Sequence, residues 1–129
     1  MRSTEVIKSL ADDEIFVFGS NYAGRHGKGA ALQAVKFGAI RGQGVGLMGK
    51  TYGIATKDRN LKVLPLESIK KQIAKFLDFA RENKQFRFLV TPIGCGLAGY
   101  RPRQIAPLFY DYEIPDNVFL PESFKGITE

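Results

Sequence analysis

The sequence predicts an α/β domain built on a mostly parallel sheet flanked by helices. Three observations carry that expectation. Two short, mainly apolar runs, residues 14–18 and 86–93, are rich in β-branched and aromatic side chains, and each leads into glycine. Between them lies a long segment with a single apolar stripe at helical spacing. Strand-like and helix-like segments alternate along the rest of the chain, as parallel strands joined by crossover helices require.

Residues 14–18 (Glu-Ile-Phe-Val-Phe) read as a buried strand, because apolar continuity implies cover on both faces. A glycine-rich loop, 19–29, follows and carries Ser20, Asn21, Arg25, His26 and Lys28. Residues 30–37 are strong helix formers with apolar positions one turn apart, stopped at Gly38. Segments 45–47 and 51–55, joined by Met48-Gly49-Lys50, read as a hairpin. Pro65 marks the next boundary, and Ser68 is expected to cap a helix running to residue 83. Ile69, Ile73, Phe76, Leu77 and Ala80 fall on one face of that helix, with lysines and acids opposite. Residues 86–93 form the second strong strand, which ends in the glycine run 94–99. A short helix after Pro102, through Ile105, Leu108 and Phe109, and a strand at 118–120 complete the order.

At 129 residues the chain is expected to form one domain, 1–129, with a single real core. Its one cysteine, Cys95, excludes an intrachain disulfide and a multi-cysteine metal site, and no metal-ligand cluster is visible. Residues 1–10 hold no apolar run of signal-peptide length, and no stretch approaches the length needed to cross a bilayer, so a cytoplasmic protein without membrane contact is expected. The net charge of +6 favours anionic partners, nucleotides or nucleic acid among them. Lysine and arginine are spread along the chain, a distribution that suits a solvated basic surface as well as a nucleic-acid track.

Three glycine signals compete. Residues 44–51 (Gly-Val-Gly-Leu-Met-Gly-Lys-Thr) match the P-loop pattern literally and would use Lys50 and Thr51 on a nucleotide. That motif needs a strand before it and a helix after it, whereas residues 52–56 read as a strand, so a hairpin turn is the better reading. Residues 94–99 (Gly-Cys-Gly-Leu-Ala-Gly) match the dinucleotide fingerprint and do follow a strand. Pro102 and the short remaining chain leave no room for a full βαβ half. Residues 24–31 form a glycine loop that opens a helix, where free N–H groups favour an anion. Two such loops at strand ends could clasp one pyrophosphate from both sides.

Gly19-Ser20-Asn21 after a strand, with Gly27-Lys28-Gly29-Ala30-Ala31 opening a helix, resembles the first ligand loop of macro domains. Pro92-Ile93-Gly94-Cys95-Gly96-Leu97 resembles their second loop, and the spacing agrees over most of residues 14–120. The branch containing the terminal ADP-ribose protein glycohydrolase is most similar, as are small macro-like proteins of bacteria and phages. The resemblance implies a three-layer α/β/α fold that binds ADP-ribose or a related nucleotide, in some members hydrolysing ADP-ribosyl linkages, with no added cofactor. It implies ligand contacts from Ser20, Asn21, Gly27, Lys28, Gly29, Ala30, Gly94, Cys95, Gly96 and Leu97, mostly through backbone amides. In that branch a lysine ending the central strand attacks the anomeric carbon of the distal ribose, and the matching residue is Lys57; a surface lysine is the alternative. Two departures stand out. Ala98 occupies the position of the branch's catalytic aspartate, and no Gly-Asp-apolar motif precedes residue 14 to hold adenine, leaving only Asp12 and Asp13 as substitutes.

His26 is either bonded to backbone or an acid–base group, Cys95 either a small filler or a reactive thiol, and Tyr100 either stacks on a ligand or caps the sheet. The rival functions are a P-loop nucleotide hydrolase and a basic nucleic-acid-binding module.

Overall fold

A computed structural model of the chain describes residues 7–127; residues 1–6, the larger part of the 1–10 segment read for a leader, lie outside that range. The strands are β1 (Glu14–Asn21), β2 (Gly46–Met48), β3 (Thr51–Lys57), β4 (Arg87–Val90) and β5 (Val118–Phe119). The helices are α1 (Gly29–Lys36), α2 (Leu66–Glu82) and α3 (Pro102–Tyr110), with one 3₁₀ turn at Glu122–Phe124. The strands form one sheet in the order β2-β3-β1-β4-β5. Every pairing is parallel except the β2–β3 hairpin. The expected α/β class with a mostly parallel sheet is what the chain forms.

β1 sits at the centre, which explains its apolar continuity. Ile15 and Val17 point to one face, where they meet Ile69, Ile73, Phe76 and Leu77 of α2 and Ile105 and Phe109 of α3. Phe16 and Phe18 point to the other, against Ala31 and Ala34 of α1 and Met48. Alternation along one strand therefore builds two core layers, and helices cover both faces of the sheet. The apolar stripe of α2 is fully buried, each large side chain contributing about 1.5–3 kcal/mol on removal from water.

Three boundaries differ most from expectation; others, β3 ending at Lys57 rather than residue 55 among them, shift by one or two residues. α2 begins at Leu66 with Pro65, not Ser68, at its N-cap. Pro65 has the extended backbone of a cap and its carbonyl accepts from the Ser68 and Ile69 N–H groups. The second strand ends at Val90 rather than residue 93, since Pro92 has no N–H for the ladder. β1 runs on to Asn21, because Thr56 and Lys57 of β3 hold its last residues through hydrogen bonds to Ser20 O and from Tyr22 N. Among the described residues no helix is long and apolar enough to cross a membrane.

Candidate functional site

Parallel pairing brings the carboxyl ends of β1, β3 and β4 to one edge of the sheet. The chain leaving β1 returns through β3 on one side, and the chain leaving α2 crosses to β4 on the other. The connections part above β1 and leave a crevice there, as open α/β sheets do at a switch point. A cavity of about 650 Å³ occupies that crevice, a size usual for a cofactor or small-ligand site.

Its wall unites the two glycine loops. Ser20, Asn21, Gly27, Lys28, Gly29 and Ala30 line it from the first, and Gly94, Gly96 and Leu97 from the second. The loops touch at their base, where a Cβ on Gly19 would lie 3.3 Å from the Gly94 nitrogen. Lys57 lines the wall at the end of β3 and pairs across the ladder with Asn21. Cys95 does not line it; the residue is half-buried against the α2–α3 core, as a filler behind the loop would be. Sequence reasoning missed Arg25, Thr56, Leu61 and Thr91 on this wall. Parallel registry of β3 and β4 with β1 is the signal that could have found Thr56 and Thr91. Leu61 follows from a turn that no pattern announces.

The side chains of the first loop serve mainly to shape it. Asn21 Nδ2 donates to the Arg25 carbonyl at 2.9 Å, and Asn21 Oδ1 accepts from the Arg25 N–H at 2.9 Å. His26 is only 1% exposed and lies off the wall, its Nε2 2.8 Å from Gln43 O and 3.0 Å from Ile40 O. Both neighbours only accept, so Nε2 carries the proton and staples the loop to the 40–43 segment. An acid–base role for His26 is thereby displaced by a structural one. α1 then begins with no side-chain cap at Lys28 and no acid in its first turn, and its first residues, Gly29, Ala30 and Ala31, line the cavity.

The remaining sequence candidates sit elsewhere. Tyr100 Oη donates to Leu64 O at 2.6 Å and its ring packs on the core. Asp13 is held by Arg87 through two bonds of 2.8 and 2.9 Å at the amino end of β1. From Asp13 to the cavity wall at Gly19 is about 20 Å of strand, so neither Asp12 nor Asp13 can replace a base-holding acid there. The literal P-loop match is the β2–β3 hairpin: Lys50 Nζ donates to Ala11 O at 2.6 Å and Thr51 Oγ1 to Met48 O at 2.7 Å. Gly44 and Gly49 of that stretch serve packing, for a Cβ would stand 1.8 Å from Asn21 O at Gly44 and 2.9 Å from the Gly38 Cα at Gly49.

Two properties of the wall bear on chemistry. Arg25, Lys28 and Lys57 line it, while no Asp, Glu or His among the described residues does. The second property concerns glycine. Of the 14 glycines, nine adopt positive φ, and Gly19, Gly44 and Gly53 are closely packed against backbone. Gly27 and Gly96 alone have neither a positive φ nor any atom within 4 Å of a built Cβ. Both line the cavity.

A second cavity, about 620 Å³, lies by the amino ends of β4 and β5, but acids and bases share its wall. Arg87 is bound to Asp13, and Arg81 to Asp78 and the Glu113 carbonyl. Among the described residues no group of three or more His, Cys, Asp and Glu side chains could hold a metal ion. No family model, curated protein or solved structure matches the chain.

Proposed function

We propose that the cavity binds ADP-ribose or a related phosphorylated nucleotide, with the diphosphate held between the first and second glycine loops of a macro-like domain. The observation that carries this reading is the pair Gly27 and Gly96. The fold requires glycine at neither, yet each presents bare backbone to one cavity, which is what close approach of a ligand to main-chain N–H groups demands. The uncapped start of α1 and three cations with no carboxylate among the lining residues supply the matching field for an anion.

A hydrolytic role would rest on Lys57, whose amine must be unprotonated to attack an anomeric carbon. Ala98 also lines the wall and offers no proton donor where the resembling branch has aspartate. The wall therefore favours binding over turnover.

Calorimetry with ADP-ribose, AMP, ATP and NAD, without magnesium, tests the proposal. Binding of ADP-ribose that survives Lys50→Ala is expected. Absence of heat with all four, or binding that requires magnesium and Lys50, would remove it.

A further inference from the structure

Two large apolar side chains at the cavity mouth are left uncovered by the fold. Leu97 is 67% exposed, the most of any large hydrophobic residue among those described, and Leu61 is 39% exposed. Both line the cavity, and neither packs against either core cluster.

Each stands on a turn tied down by backbone. Gly99 N donates to Gly96 O at 3.0 Å, so Leu97 and Ala98 form the tip of that turn, and Tyr100 N donates to Gly94 O at 2.8 Å behind it. Leu61 belongs to a short hairpin closed by the Lys57–Val63 bridge. Leu61 N donates to Asp58 O at 3.0 Å and Asp58 N to Lys62 O at 2.8 Å. The Asp58 carboxylate accepts from the N–H groups of Asn60 and Lys62 at 2.8 and 3.0 Å.

That geometry is a tight turn followed by a left-handed residue, a position glycine or asparagine ordinarily fills. Leu61 takes it at φ 63°, the one non-glycine residue described with positive φ. Nothing in the turn asks for leucine. Its side chain is the only part that glycine or asparagine would not supply, and that side chain lies at the cavity mouth.

We infer that Leu61 and Leu97 form an apolar rim that packs on a flat heterocyclic base of the bound nucleotide. This inference rests on the nucleotide reading above and adds how a base is held. A base has an apolar face that suits exposed leucines, and among the described residues no acid lines the cavity to read its edge. The rim is continuous with the diphosphate loops, since Leu97 directly follows Gly96 and Leu61 lies four residues beyond Lys57.

The test compares wild type with Leu61→Asn, which suits a left-handed turn, and Leu97→Ser. Three ligands are titrated: inorganic pyrophosphate by competition, ADP-ribose with its adenine, and NAD with a further base on the distal ribose. Each substitution is expected to weaken base-bearing ligands about threefold to tenfold, leaving pyrophosphate unchanged. Loss with ADP-ribose assigns the rim to adenine, and loss confined to NAD assigns it to the distal base. Unchanged affinities, or equal losses with pyrophosphate, would overturn the rim. If wild type binds none of the three, the nucleotide reading fails and the rim with it. Melting temperatures establish folding, and Leu61→Asn is expected to melt no lower than wild type.

Discussion

Replacing Gly27 by alanine separates a ligand-binding glycine from a structural one. The built Cβ meets no atom within 4 Å and the residue's φ is not positive, so the folded state accommodates the methyl without strain. Alanine also narrows the unfolded ensemble, so stability should hold or rise by about 0.4–1 kcal/mol. In the cavity the same methyl stands where a phosphate oxygen would approach the backbone. Loss of one charge-assisted hydrogen bond, about 1.5–3 kcal/mol, corresponds to about tenfold to 150-fold weaker binding. Gly96→Ala should behave alike. Gly44→Ala is the contrast: its Cβ would overlap Asn21 O at 1.8 Å, and the forced shift should destabilise the fold by about 3 kcal/mol. Thermal melts and ADP-ribose calorimetry on the three variants read both axes. If Gly27→Ala and Gly96→Ala bind with wild-type affinity, the loops do not cradle the ligand; if either melts well below wild type, the fold needs that glycine after all.

Lys57→Ala should abolish any release of ADP-ribose from a modified substrate, followed by chromatography, while lowering ADP-ribose affinity by less than about tenfold, the loss of one cation among three. Undiminished release would discard the nucleophile. At the opposite end of the sheet, the Arg87 guanidinium bonded to Asp13 holds that carboxyl below its ordinary value of 3.8. Its contribution is present above that value and lost as pH falls through the lower folded value. Asp13→Asn should accordingly lose stability at neutral pH and show a shallower acid limb. Urea unfolding between pH 7 and pH 2.5 measures it, and parallel curves for the two proteins would reject the coupling.

The element order was legible because its signals are local. Apolar continuity over 14–18 marks a central strand, and the stripe from Ile69 to Ala80 marks a helix with one buried face. Strand and helix ends were less legible. Ser68 has the chemistry of a cap, but Pro65 reaches the required extended backbone first. The cavity was legible only as two loops. That they meet depends on β1 lying between β3 and β4, a long-range choice the local pattern leaves open. Nor could composition separate Gly44, Gly49 and Gly53, which pack backbone on backbone, from the glycines that face open space.

Apart from Pro107 inside α3, three positions on the described chain run against local preference without return to the fold. Gly27 and Gly96 accept the entropic cost of glycine, about 0.5–1 kcal/mol each, where neither dihedral nor packing asks for it. Leu61 adopts a left-handed backbone that costs about 1 kcal/mol or more for a side chain of its kind. Scattered over the surface, such positions would carry no message. All three instead line one cavity, together with three cations. Local choices that oppose stability concentrate where a protein does its work. That coincidence supports the proposed role of the cavity by a criterion independent of its size, its charge and any likeness of its loops.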